Sequence, residues 1–497
     1  MSLLKRALKG FFWNQASKIL ELGLILLFSI VIARELGASQ YGIYAILTSV
    51  CSFFLLVSAL GFEEVANTYI PKLLDEKGKT AYLLKRLIFI RSFVIFIFGL
   101  VLYFMSGLIA RIVNNPDLSG YLKLAIFYVI FSSISNLFLF FFIGQIRIKL
   151  TFLVKITVRV LNLVLAYIFL KLGFGIVALI YILTFTAFLS IIIYLFQSRR
   201  DIFRRSEKFA IQSIYKFGRT LWLTNFVNYA LGKQTDILLL GFFLVGTSQI
   251  GYYNIAFTLA VSLSTLLLGG LGGVGLSAFS EIEAKHDRKS LGLAWGTTIK
   301  IASLLSVPVT IFAIYFAKPI ITLLYSDAYL PAAILFQIFA SFGVIGRLLG
   351  GGTSYTVLCA INKEKIVFYL RLLAGLLNLI LDILLIPKYG ALGAIIATGS
   401  SGIIVVALEL GYVKKYVQVK FPLIFVAKVI TICVLALVIS MFAPVKNAFS
   451  LIKVGVLYGV IGIILLYLIK PFANEDQELL IKLNKKAGKF MTRLVSA

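Results

Sequence analysis

Blocks of about twenty apolar residues, separated by short clusters of charge or turn formers, recur along this 497-residue chain. A helix rises ~1.5 Å per residue, so each block has the length needed to cross the ~30 Å hydrocarbon core of a bilayer. Fourteen such blocks can be marked, from 11–33 to 450–470. At about 20 residues each they claim most of the chain and leave no room for a sizeable water-soluble domain. A composition of 61% hydrophobic and 14% charged residues excludes a soluble surface as well. The chain reads as an all-α, polytopic membrane protein of about fourteen transmembrane helices.

The net charge of +28 would point to nucleic acid in a soluble protein, but the placement of the charges excludes that. With fourteen spans and an inside amino terminus, the inward segments hold Lys5, Arg6, Lys9, the cluster Arg199, Arg200, Arg204, Arg205 and Lys208, and a basic tail with Lys482, Lys485, Lys486 and Lys489. Outward segments hold only scattered residues such as Arg111, Lys171, Lys318, Lys388 and Lys446. This asymmetry predicts a multi-pass protein of the cytoplasmic membrane with both termini inside, its basic face against an anionic leaflet. The apolar run after the basic start lacks a small-residue cleavage site, so a retained first helix is expected. Cys51, Cys359 and Cys433 lie in or at the ends of apolar blocks and read as packed free thiols.

A repeat organises the chain. "LGASQYGIY" at 36–44 returns as "VGTSQIGYY" at 245–253. At the same offset of 209 residues, Trp13 meets Trp222 and Gly23 meets Gly232. A second echo pairs "NLVLAYIFLKLGFG" from Asn162 with "NLILDILLIPKYGALG" from Asn378. The duplicated unit has six helices, an even number, so its copies insert in the same orientation around an axis along the membrane normal. The expected layout is an amino-terminal lobe at 1–200, a carboxy-terminal lobe at 213–416, two additional helices at 423–470 and a cytoplasmic basic tail at 471–497. The linker "QSRRDIFRRSEKFAIQSIYKFGR" is basic and amphipathic, which suits the inner leaflet or a solvated loop. In the repeated turn, Gly37 and Gly246 suit a left-handed helix end, Ser or Gln can cap the next helix, and Gly42 and Gly251 allow close helix approach.

No catalytic arrangement presents itself, so an enzyme is not expected, nor a metal site or an organic cofactor. His286, the single histidine, sits in the charged loop "EIEAKHDRK". The runs "GGLGGVG" and "LGGGTS" lie inside apolar blocks and read as packing or breaking sites, not phosphate loops. The informative residues are polar and ionisable groups at membrane depth, which are expensive in lipid and should face a cavity or a partner. Asn14, Lys18 and Glu21 form a stripe on the first helix, with Lys18 and Glu21 able to pair at i, i+3. Asn225, Lys233 and Asp236 lie on its repeat partner. Arg347 sits deep in the tenth block, Asp382 in the eleventh, and Arg91 and Arg159 about a turn from inner ends, where snorkelling to headgroups is the simpler role. The candidate substrate cavity therefore draws on Asn14, Lys18, Arg91, Arg159, Asn225, Lys233 and Arg347. Glu21, Asp236 and Asp382 are candidates for coupling to H+ or Na+.

The opening "LLKRALKGFFWNQASKILELGLILLFSIVIARELGASQYGIYAILTSV", with "ITLLYSDAYLPAAILFQIFA" and "IPKYGALGAIIATGSS" in the second half, resembles the polysaccharide-transport flippases of the multidrug, oligosaccharidyl-lipid and polysaccharide exporter superfamily. The resemblance covers nearly the whole chain. It implies alternating access, two six-helix lobes rocking to carry a lipid-linked oligosaccharide across the membrane, with glycan polymerases or glycosyltransferases as partners. The alternative within the superfamily is a cation-coupled exporter of drugs or small molecules.

Overall fold

A computed structural model describes residues 3–472 apart from 231, 269–270, 286 and 418–420; the side chains of 3–19, 213, 228, 230, 271–274 and 277 also lie outside the description. The described chain is helical almost throughout. Its helices are α1 (Leu3–Ala59), α2 (Phe62–Tyr69), α3 (Lys77–Ile112), α4 (Asp117–Gly144), α5 (Ile148–Lys171), α6 (Gly175–Ile202), α7 (Gln212–Ala230), α8 (Lys233–Phe242) and α9 (Thr247–Leu268). They continue as α10 (Leu271–Ala284), α11 (Arg288–Tyr315), α12 (Ala317–Leu324), α13 (Ala332–Leu348), α14 (Thr353–Ala360), α15 (Glu364–Tyr389), α16 (Ala391–Tyr416), α17 (Leu423–Ser440) and α18 (Ala448–Ile469).

Eleven of the described helices are long and apolar enough to cross a membrane. The sequence blocks number fourteen, and the difference has identifiable causes. The apolar part of α1, Leu20–Ala59, is 40 residues long, about twice the ~20 that one span needs, and it breaks at Gly37 (φ 73°, ψ 169°). The helices α13 and α14 are long and apolar enough only as a pair, bent by 43° where Gly350 and Gly352 take positive φ. The remaining block, 219–244, is divided between α7 and α8 and carries Arg219, Thr224, Asn225, Lys233 and Asp236, so composition alone does not mark it as apolar.

By its internal contacts the chain forms two compact units, residues 1–255 with 381–394, and 256–380 with 395–497. This division departs from the duplication boundary at 200/213 because α7 packs on α2 and α8 on α1. In the first unit α3 runs along α4, α4 along α6, and α1 along α5. Its apolar centre includes Phe138, Phe141, Phe142, Leu83, Leu84 and Leu87. The second unit packs α11 against α13 and α10 against α14 around Trp295, Phe279 and Val357. There the additional helices α17 and α18 lie against each other and against α11, where the Tyr458 hydroxyl donates to the Pro308 carbonyl at 3.0 Å. The expected basic tail lies outside the described residues from 473 onward.

The repeated turns fold as a reciprocal pair within the first unit. A Cβ on Gly42 would overlap the Thr247 carbonyl oxygen, and one on Gly251 would overlap that of Ala38. Since Ala38 and Thr247 are themselves 209 residues apart, the contact has local twofold character. Ser39 Oγ and Thr247 Oγ1 close it at 2.7 Å. The expected close approach is thus present, but the two helix ends differ. Gly37 has positive φ, whereas in the second copy Leu244 (φ 55°) takes the left-handed position and Gly246 does not. There α8 ends early, and the amides of Leu244 and Val245 turn back to the carbonyls of Gly241 and Leu240 at 3.1 and 3.0 Å, ending the helix before the glycine is reached.

Of the two forms open to the linker, the structure has the irregular one over 203–211. No separate amphipathic helix forms in it: α6 runs to Ile202, residues 203–211 are irregular, and α7 starts at 212. That stretch is anchored by Glu207 N–H to the Gly78 carbonyl at 3.1 Å and Lys85 Nζ to the Arg204 carbonyl at 2.8 Å. A tether to α3 at two backbone points supplies hydrogen bonds that an amphipathic helix would otherwise make to itself.

Candidate functional site

Among the described residues, Glu21, Arg159, Lys233, Asp236, Asp382 and Arg347 fall in three places. The first is a cavity of about 340 Å³ in the first unit, lined by α4, α5 and α6 with Glu21 reaching in from α1. Its charged edge is built across two helices: Glu21 Oε1 lies 3.6 Å from Arg159 Nη2, and Oε2 lies 3.7 Å from Lys155 Nζ. Deeper in the lining, the Asn162 side-chain oxygen accepts from the Thr186 hydroxyl at 2.8 Å. Two cations against one carboxylate leave this cavity net positive. Glu21 therefore finds its partners on α5; the side chains of Lys18 and Asn14 lie outside the described residues. By sequence Lys155 reads as a loop residue because it follows Arg147 and Lys149 closely, yet α5 starts at Ile148 and carries it inward.

The second place is also in the first unit. Asp236 and Asp382, 146 positions apart, are both fully buried, and their carboxyls share a hydrogen bond. Two acidic side chains this close make a place where a proton or a cation can be held. The Tyr253 hydroxyl donates to Asp236 Oδ2, and Lys233 Nζ donates to the Asn254 side-chain oxygen at 3.0 Å. The pairing of Lys233 with Asn254 and of Asp236 with Asp382 is not encoded in spacing along the chain. Sequence reasoning also misses Tyr253 and Asn254, because the tyrosine stands out only as part of the repeated turn.

The third place is in the second unit. Arg347 lies at the 43° bend, where its Nη1 donates to the Gly351 carbonyl at 2.7 Å and its side chain lines a cavity of about 170 Å³ with Thr298, Thr353 and Thr356. The glycines of "LGGGTS" expose that carbonyl by breaking the helix, so the run read as a breaking site is what receives the arginine.

Two candidates are placed elsewhere. Arg91 is 1% exposed, with Nη2 3.1 Å from Glu63 Oε1 and Nη1 2.7 Å from the Ser58 carbonyl. A guanidinium this far from water needs an anion, and Glu63 on α2 supplies it, so Arg91 fastens α2 to the end of α1. Asn225 donates to Glu64 Oε1 at 2.5 Å and is likewise part of the α7–α2 packing. Among the described residues no cluster of three or more His, Cys, Asp or Glu could hold a metal ion. His286 lies outside the described residues.

Many membrane-length helices with ionisable groups held in pairs and small cavities between them define a polytopic membrane protein built like a transporter. Comparison with solved structures agrees on the fold. The lipid II flippase MurJ, in an inward closed conformation, superposes with a TM-score of 0.73 over 92% of this chain and 98% of that one, at 19% identity. An inward-facing multidrug resistance MATE family transporter of the MOP superfamily gives 0.66 over 80% of this chain and 94% of that one, at 15% identity. Among curated sequences, the chain is 25% identical to an uncharacterized membrane protein of Methanocaldococcus jannaschii over 85% of its own length and 86% of that protein's. It is 23% identical to a probable low-salt glycan biosynthesis flippase of Haloferax volcanii over 85% of each chain. The family described as "Polysaccharide biosynthesis protein" matches residues 31–334, more than half of the chain. The chain belongs to that family.

Proposed function

We propose that the protein is a flippase that moves a lipid-linked oligosaccharide across the cytoplasmic membrane by alternating access, with both termini in the cytoplasm. It does so as a transporter and not as an enzyme, and it draws on a proton or sodium gradient. The observation that carries this reading is the net-positive cavity of Glu21, Lys155 and Arg159, since cations held at membrane depth recognise an anionic sugar-phosphate head. Family membership and the flippase fold support it. The Asp236–Asp382 pair is the coupling element: exchange of a proton held there, or replacement of that proton by Na+, switches its charge. Arg347, at a helix bend, serves as a second cation for the head group. Glycan polymerases or glycosyltransferases are its partners in the same pathway.

The test is glycan export in cells carrying Arg159→Gln at wild-type protein levels. Surface glycan falls at least tenfold and lipid-linked precursor accumulates inside; unchanged export removes this cavity from the transport path. Asp382→Asn in reconstituted vesicles addresses coupling, and the proposal requires that transport lose its dependence on an imposed proton or sodium gradient.

A further inference from the structure

A second charged cavity lies at the end of α6, on the face that the distribution of basic residues assigns to the cytoplasm. It measures about 550 Å³ and is bounded by α6, the start of α5 and the start of α3. Lys77, Arg147, Arg199, Arg200 and Arg204 line it, against one carboxylate, Asp201. The Asp201 carboxylate is already engaged, accepting from the Gln145 side-chain amide at 3.2 Å, and none of the five cations joins an ion pair among the described residues. Arg147 is oriented by Gln197, whose Oε1 accepts from Nη2 at 2.9 Å, and by the Phe142 ring 4.9 Å away. Five cations against one carboxylate leave the cavity strongly positive and form a site for an anion of more than one negative charge or several oxygens, and guanidinium groups match phosphate oxygens in particular.

The apolar surroundings say what bears the phosphate. Along α6, Ile192, Leu195 and Phe196 are exposed, Phe196 at 62% while lining the cavity itself, and Phe203, next to Arg204 in the chain, is 87% exposed. An exposed apolar strip leading into a cationic cavity fits an amphiphile whose chains lie along α6 while its head enters the site. We infer that this cavity binds the phosphate group of a membrane lipid, either an anionic phospholipid or a polyprenyl-linked phosphate, separately from the transport cavity and independently of the flippase reading.

The experiment measures lipid retention by the purified full-length protein in detergent, by native mass spectrometry. The arms are phosphatidylglycerol, phosphatidylcholine, polyprenyl diphosphate and inorganic phosphate. The variant is Lys77→Gln/Arg200→Gln/Arg204→Gln, with Arg205→Gln/Lys208→Gln as a charge control outside the lining. At about fivefold per removed charge, the triple variant loses about a hundredfold in affinity for the anionic lipids, while the control and phosphatidylcholine binding barely change. Retention of phosphatidylglycerol alone assigns the site to bulk anionic lipid, and retention of polyprenyl diphosphate alone assigns it to the carrier lipid. Equal binding by wild type and triple variant overturns the inference, as does inorganic phosphate competing as strongly as lipid. If the triple variant does not fold, the single substitutions Arg200→Gln and Lys77→Gln, both at exposed positions, carry the same comparison with a fivefold loss each.

Discussion

Individual residues in this protein act mostly through what lies opposite them, often far away in sequence. Gly42 has the Thr247 carbonyl where a methyl group would go, while Gly23, in the same helix, has nothing within 4 Å of that position. Gly42→Ala therefore forces backbone to move and lowers stability by about 1–3 kcal/mol, whereas Gly23→Ala is neutral or slightly stabilising; thermal unfolding in detergent compares them. Arg91 and Glu63 make a similar point about charge. Arg91→Met leaves the Glu63 carboxylate without its cation and costs about 3–5 kcal/mol. Adding Glu63→Gln recovers most of that loss, and a double-mutant cycle on the same unfolding transition measures the recovery. That Arg91 falls inside an apolar block is legible, but its partner is not. Nothing in the sequence around residues 63 and 91 tells a cavity-facing arginine from one tied to a neighbouring helix.

At the scale of elements, the legible features are those encoded within one turn or one helix. The long first helix breaks where a glycine interrupts it, and the α13–α14 bend falls on the glycine run. Features made by two elements are not legible: the Glu21 site needs α1 beside α5, and the Asp236–Asp382 pair needs α8 beside the end of α15. A residue list can nominate both acids without showing that they touch. One element boundary carries its own pH dependence. Asp287 caps α11, accepting from the Ser290 amide at 2.9 Å, and bonding to Ser290 holds its carboxyl below the usual carboxylate range. A carboxyl held low in the folded state stabilises above its unfolded value, and that contribution disappears as pH falls through the folded value. Asp287→Ala thus lowers the melting temperature at pH 7, and the gap from wild type closes on acidification below about pH 4. A gap that is constant with pH would show that the cap acts without its charge.

For the whole molecule, the even number of spans is the consequential count. Fourteen crossings follow if the broken α1 counts twice, the bent α13–α14 pair once, and the α7–α8 stretch once. The count is tested by single cysteines introduced into a Cys51→Ser/Cys359→Ser/Cys433→Ser background. Lys446→Cys reacts with an impermeant maleimide added to intact cells, and Lys208→Cys and Lys363→Cys react only after the membrane is opened. Labelling of all three from one side removes the fourteen-span topology. The charge asymmetry that supports it is a property of the entire sequence, so the spacing of Lys and Arg between apolar blocks is enough to display it. The assignment of helices to compact units depends instead on contacts between distant segments, which linear order does not carry.

The mutual fit of the two repeated hairpins has a genetic consequence. Each copy's glycine answers to the other copy's backbone, so the two hairpins form a surface that is complementary to itself. Such a surface is one that two separate halves could already share before being joined end to end. Once they are fused, neither glycine can acquire a side chain without a compensating shift in its twin, and the two sites must change together or remain as they are.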